Sequence, residues 1–229
     1  MNPSPKRREP EQVCSMFDSL VSCYDRLNRT MTLGMDRSWR RQLRDSALKQ
    51  DPKWVLDLAS GTGDVALLFQ ESGVRVTAGD FCPSMLKEAE RKGVKDTQIV
   101  EASALPFTDA SFDAVTVAWG FRNFQDRQKA AQEVYRVLRP GGGFFILESS
   151  EPRDWTRPFY RLYCRNLIPR LGQFISGNRS AYRYLVETMA DFPPPDELAG
   201  LLTQWGYHRI NWKTMGLGAV CLHQAFKPA

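Results

Sequence analysis

The chain is poor in metal ligands and in long apolar runs. It holds two histidines, His208 and His223, and its five cysteines (Cys14, Cys23, Cys82, Cys164, Cys221) are scattered without a Cys-x-x-Cys pair. This argues against a structural zinc or a disulfide frame and for free buried thiols. The longest apolar runs are as short as Phe144–Leu147, so no transmembrane helix is expected. Lys6-Arg7-Arg8 is followed by no apolar stretch, so no secretory signal is expected and cytosolic residence is the default. Repeats and low-complexity tracts are also missing, and disorder is expected only over the first ten or so positions.

With 229 residues, 42% of them hydrophobic, the chain can bury the core of one large domain. The net charge of +5 is unevenly placed: between Arg153 and Arg183 seven arginines face one acid, Asp154. Such a local surplus points to a partner.

Residues 57–64 read Asp-Leu-Ala-Ser-Gly-Thr-Gly-Asp, between the apolar runs Trp54–Leu56 and Val65–Phe69. A buried strand thus enters a glycine turn and then a helix. A second apolar run, Val74–Ala78, ends in Gly79-Asp80. This is how a nucleoside is held: Gly61 and Gly63 let the backbone approach it, and Asp80 accepts from the ribose hydroxyls. Asp80 read instead as a strand-end acid, and Asp57 as a turn-stabilising side chain, are the bland alternatives.

Helical spacing at 16, 17, 20, 21, 24 and 27 predicts a helix over Met16–Leu27, and a second covers Arg37–Leu48 with Asp36 as N-cap. Strands and helices then alternate: Trp54–Leu58, 63–71, Val74–Gly79, 83–92, Thr97–Glu101, Phe112–Ala118, 125–138 and Gly143–Glu148. Arg139-Pro140-Gly141-Gly142-Gly143 is predicted to be a tight turn into the fifth strand. Residues 153–191 read as broken helices, a last helix lies near 196–205, and Trp205–Thr214 with Val220–Phe226 form an antiparallel pair at the sheet edge. The expected fold is α/β: a mainly parallel, Rossmann-like seven-stranded sheet with helices on both faces. It is one domain, with residues 1–50 as a helical cap, 51–150 as a nucleoside-binding core, 151–195 as a basic helical insertion and 196–229 as a final helix and edge strands.

Gly61-x-Gly63-x-x-Ala66 followed by Asp80 is shared by nicotinamide, flavin and S-adenosyl-L-methionine (SAM) binders. SAM is favoured. Asp57 can accept from the ammonium of a methionine tail, no second domain is expected to hold a nicotinamide substrate, and Glu101-Ala102 lie where an adenine edge belongs. The segments Asp57–Asp64 (with Thr62 in the turn), Met85-Leu86, Ala104–Phe107 and Arg136–Gly142 resemble class I SAM-dependent methyltransferases. More narrowly, the chain resembles the C-methyltransferases of menaquinone and ubiquinone biosynthesis. That resemblance rests on Met16-Phe17-Asp18, Tyr24-Asp25-x-Leu27-Asn28, Leu33-Gly34-x-Asp36-Arg37-x-Trp39-Arg40, Trp119–Asn123, Leu147-Glu148-x-Ser150-x-Pro152, Tyr182-x-Tyr184-Leu185 and Phe192-Pro193. The chain departs from the family pattern at Asp36, usually histidine, at Ala118, usually serine or another small residue that contacts the methionine tail, and at Ser149-Ser150, usually Phe-Ser.

The resemblance implies methyl transfer to a ring carbon of a polyprenylated hydroquinone. Demethylmenaquinol is the first choice and a methoxy-polyprenyl benzoquinol the second. Attack from carbon needs a ring hydroxyl that loses its proton, and such hydroxyls titrate near pH ~10. Arg122, at the end of the fourth strand, is expected to stabilise the phenolate or polarise a water, and Asn123 to position the ring. The resemblance also implicates Tyr24 as a cap over the ring, and implies a homodimer. The arginine stripe Arg157, Arg161, Arg165 reads as a solvated helix face or as an interfacial helix on an anionic membrane, which is where a long-tailed quinone resides. Nucleic acid is not an expected partner, since no groove-binding or stacking motif is present. A nicotinamide-dependent reductase, a silent scaffold of the same fold and a small-molecule methyltransferase of specialised metabolism are the rival readings.

Overall fold

A computed structural model describes residues 10–18, 20–168, 170 and 179–229. Alternating side-chain direction organises the whole molecule. In β1 (Trp54–Leu58), Val55 belongs to one core cluster and Leu56 to the other; in β5 (Leu138–Ser149), Phe144 and Ile146 face one way, Phe145 and Leu147 the other. A strand buried on both faces is apolar along most of its length, as β1 and the Phe144–Leu147 stretch of β5 are, with Asp57 the polar exception in β1. One face is covered by α3 (Asp36–Leu48), α4 (Asp64–Glu71) and α5 (Pro83–Arg91) through Leu43, Phe69 and Ala89. The other is covered by α6 (Arg127–Val137) and α9 (Pro195–Gln204) through Val134 and Leu198.

The sheet has seven strands in the order β3-β2-β1-β4-β5-β7-β6, where β2 is Arg75–Asp80, β3 Thr97–Ile99, β4 Phe112–Ala118, β6 His208–Met215 and β7 Val220–Phe226. All neighbours among the first five are parallel, and β7 runs antiparallel between β5 and β6. The chain order reverses between β1 and β4, which opens a crevice at their carboxyl ends. A third apolar cluster sits over that crevice. Val13, Met16, Leu20 and Leu27 from α1 (Pro10–Asp18), α2 (Tyr24–Met31) and the turn between them pack on Cys164, Ile168 and Tyr184. The last three come from a π-helical turn, Tyr163–Leu167, that continues α7 (Arg157–Leu162), from the residue after it, and from α8 (Arg179–Ala190).

Three local expectations change. The single helix over Met16–Leu27 is two helices separated by a 3-10 turn at Val21–Cys23, so that its apolar positions wrap a cavity. Asp36 does not cap α3: it lies inside the first turn, and its carboxylate turns to Arg40 one turn on. Arg139–Gly143 is not a tight turn but the bulged start of β5, where the Gly141 N–H donates to the Lys227 and Pro228 carbonyls. The breaks expected at Pro169, Gly172 and Gly177, and the side chains of Arg179, Tyr182 and Arg183, lie outside the described residues.

Candidate functional site

The turn after β1 is built by close approach. Ala59 and Trp119 both adopt left-handed backbone (φ +55° and +56°), at a cost of roughly 1–2 kcal/mol each for a side-chain-bearing residue. Gly120 makes this tolerable, since a Cβ there would stand 2.4 Å from that of Ala59. Gly63 (φ +79°) serves packing rather than ligand approach: a Cβ would lie 2.6 Å from Val94 and 2.9 Å from Ala89. Gly61 (φ +55°) faces the crevice, and its N–H donates to Asp80 Oδ2 at 2.8 Å. Asp80 Oδ1 accepts from the Cys82 N–H at 2.9 Å, and burial pushes the carboxyl above its ordinary value.

A cavity of about 80 Å³ follows from this frame, walled by Gly61, Asp80, Glu101, Ala102, Ala118 and Asn123 among others. Glu101 is exposed at its rim and accepts weakly from the Ser103 hydroxyl at 3.2 Å. Beside it lies a second, mostly apolar cavity of about 240 Å³, lined by Met16, Leu20, Leu27, Met31 and Ile168, with Asp36, Arg122 and Ser149 as polar points. Phe17, Tyr24, Trp119 and Asn123 line both. The two chambers therefore meet at those four side chains.

Three of the residues expected at the cofactor, Asp57, Thr62 and Gly63, do not line the smaller cavity. Asp57 is buried beneath the turn, where its Oδ1 accepts from the Thr116 hydroxyl at 2.8 Å and its Oδ2 has no partner; it does not line the cavity. Burial pushes its pKa up to about 7, against the hydrogen bond from Thr116. Because the folded value is raised above the unfolded ~3.9, Asp57 favours the fold at low pH and the contribution is lost as pH rises through about 7, at about 1.4 kcal/mol per unit. The ligand-free protein is expected to lose thermal stability over that window, and Asp57→Asn to flatten the slope; equal slopes in calorimetric melts would remove Asp57 as the cause. Thr62 also turns away. Its hydroxyl donates to Asp25 of α2 at 2.6 Å.

Thr62 belongs to a clasp. Lys92 bonds Asp25 at 2.8 Å and also pairs with Asp64, while Arg40 pairs with Asp36 and, at 3.3 Å, with Asp64. Burial alone would raise the Asp25 carboxyl, but its bonds from Lys92 and Thr62 hold it below the ordinary range. The cap is thus fastened to the glycine turn by alternating charges.

Arg122 is not the free cation that its place at the strand end implied. Its Nη1 donates to both oxygens of Glu148, at 3.0 and 2.8 Å, and its own N–H donates to Glu148 Oε1 at 3.2 Å. Glu148 has no exposure at all and Arg122 very little, while the Arg122 Nε has no partner. Sequence reasoning missed Glu148 as a site residue, although an acid closing the buried run Phe144–Leu147 was a signal. It also missed Trp119, Phe17 and Lys92.

The model of the ubiE/COQ5 methyltransferase family matches residues 6–227. The chain belongs to this family. A demethylmenaquinone methyltransferase of Thermus thermophilus is 42% identical over 93% of this chain and all of that one. A ubiquinone/menaquinone biosynthesis C-methyltransferase of Rubrivivax gelatinosus is 36% identical over 98% of this chain and 90% of its own. A SAM-dependent methyltransferase from Thermotoga maritima shares the fold at a TM-score of 0.67, with 18% identity over 93% and 98% of the two chains. As a ubiE/COQ5 methyltransferase the protein is an enzyme that uses SAM, and the smaller cavity fits it. Asp80 offers lone pairs to a ribose diol, Gly61 allows backbone approach, and Asn123 Oδ1 is buried without a partner on the wall toward the second chamber.

Proposed function

We propose that this methyltransferase adds a methyl group to a ring carbon of a reduced polyprenylated quinol, demethylmenaquinol first and a methoxy-polyprenyl benzoquinol second. The observation that carries the reading is the large apolar chamber opening onto the cofactor cavity through Phe17, Tyr24, Trp119 and Asn123. The names of the relatives support the ring class, and those named for menaquinone alone include the 42% relative. Asp80, Gly61, Ala102, Ala118 and Glu101 hold SAM, which supplies an electrophilic methyl. Tyr24, whose hydroxyl burial keeps protonated, caps the ring, and Asn123 orients it. Arg122, neutralised by Glu148, acts as a fixed hydrogen-bond donor to a ring oxygen rather than as a bare charge. Mass spectrometry after incubation with SAM and either reduced ring tests this. One added methylene on the naphthoquinol supports the reading, methylation of both makes the enzyme dual-specific, and a SAM-bound protein that modifies neither refutes it.

The substrate's tail places the enzyme at a bilayer. No helix among the described residues is long and apolar enough to cross a membrane. The chamber mouth carries exposed apolar side chains instead: Leu33 (82% exposed) and Met35 line it, and Leu217 (77%) and Trp155 (75%) stand on adjoining loops tied by the Thr156 hydroxyl on the Leu217 carbonyl at 3.3 Å. Part of the arginine surplus is offset by acids outside the 153–183 window: Arg157 and Arg161 share Glu151, and Arg153 pairs with Asp196. Apolar insertion therefore leads and charge assists. Trp155→Ser with Leu217→Ser is expected to weaken sedimentation with anionic vesicles while leaving turnover of a short-tailed quinol intact; unchanged sedimentation refutes this docking face.

A further inference from the structure

Attack from a ring carbon needs a place for the hydroxyl proton, and the site described so far provides none. Arg122 is a guanidinium, a donor with no lone pair to offer, and its partner Glu148 has no exposure to the chamber. Burial pushes three phenols on the chamber wall, Tyr24, Tyr160 and Tyr163, upward from their ordinary value, and the Cys164 thiol to about 11. Each can donate; none is a base near neutral pH.

One lining residue remains. Asp36 is the single carboxylate on the chamber wall among the described residues, and it is nearly buried. Its Oδ1 accepts from the Thr32 hydroxyl at 3.1 Å and its Oδ2 pairs with Arg40, which leaves each oxygen a further lone pair. Its partner Arg40 reaches the wall shared with the cofactor cavity. The Arg40 guanidinium lies 4.9 Å from the ring centroid of Trp119, which is part of the wall shared with the cofactor cavity. Arg40 does not consume the charge, because Arg40 is itself shared with Asp64. Along the clasp, Asp36, Asp64 and Asp25 are three acids against the two cations Arg40 and Lys92.

We propose that Asp36 is the general base of the reaction, a catalytic residue that takes the proton of the quinol hydroxyl. The inference rests on the quinol reading above. As the O–H proton moves to the Asp36 carboxylate, electron density passes through the ring to the carbon that takes the methyl, and the carbon–sulfur bond breaks. The methylated carbon then sheds its hydrogen to solvent water as Asp36 returns its proton to the ring oxygen. The net products are methylated quinol, S-adenosylhomocysteine and one proton.

Asp36→Asn keeps the shape and the Thr32 contact but cannot take the proton. It is expected to lower kcat by about 10²–10⁴-fold while SAM affinity, read by calorimetry, stays within about twofold of wild type. Asp36→Glu should keep part of the rate, and Asp36→Ala should recover rate with added formate, which a merely structural role would not allow. A non-reacting naphthol supplies a readout without turnover: bound to wild type its absorption shifts toward the naphtholate form, and bound to Asp36→Asn it does not. Asp36→Asn at wild-type kcat, or naphthol spectra that are the same in both proteins, overturns the proposal. If Asp36→Asn folds poorly, the formate arm decides, and no recovery counts against it. A wild-type protein that methylates neither quinol refutes the quinol reading itself, which is a separate outcome.

Discussion

Arg122→Ala is expected to destabilise the fold by about 3–5 kcal/mol and to lower turnover by about 10²–10³-fold. Both effects follow from one contact. Glu148 is fully buried at the end of β5, and Arg122 reaches it with a side-chain donor to both oxygens and with its own backbone N–H. The Ser149 N–H, at 2.8 Å, is a poor substitute for a lost guanidinium. Removing only the arginine strands a charge. Removing both charges with Arg122→Leu and Glu148→Gln should return most of the stability, yet leave turnover low, because the donor on the chamber wall is still missing. Urea unfolding and single-turnover methylation separate the two. A double variant that recovers activity along with stability would show that the pair is only structural.

Asp80→Ala is expected to weaken SAM binding by on the order of 100-fold, with the fold retained. Each hydrogen bond to a charged group contributes about 1.5–3 kcal/mol, and this carboxylate does two jobs. It accepts from the Gly61 and Cys82 N–H groups, which fixes the turn, and it presents its remaining lone pairs to the cavity. Asp80→Asn should fall between the two, since an amide keeps one acceptor. Titration calorimetry reads the change directly; a wild-type dissociation constant in Asp80→Ala would move the ribose away from β2 altogether.

The sheet was legible because its signals are local. β4 and β7 begin and end where the apolar runs do, and β1 matches Trp54–Leu58, as strands buried on both faces should. The glycine turn and the place of Asp80 at the end of β2 were legible for the same reason, since one strand, one turn and the next strand lie within about thirty residues, the span of a βαβ unit. What failed depends on contacts across the sequence. Arg122 and Glu148 meet only because β4 and β5 run side by side, with Ala118 opposite Leu147. The direction of Asp57 was in principle readable: alternation along β1 puts it on the face of Val55, opposite Thr116, and away from the crevice. The periodicity of Met16–Leu27 was real but belonged to two helices curved around a chamber, and a period alone carries no information about a bend. Asp36 looked like a cap because it precedes a helix; its partner Arg40, one turn later, was the competing signal.

Two chambers meeting at Phe17, Tyr24, Trp119 and Asn123 are expected to bring a methyl group to a ring carbon rather than to a ring oxygen. The most direct test is nuclear magnetic resonance of the product formed from SAM with an isotopically labelled methyl and reduced demethylnaphthoquinol. One labelled methyl, bonded to the ring carbon, with both hydroxyls free, is expected. A labelled methyl ether would contradict it, since it would mean that the ring oxygen, and not the carbon, lies toward the cofactor.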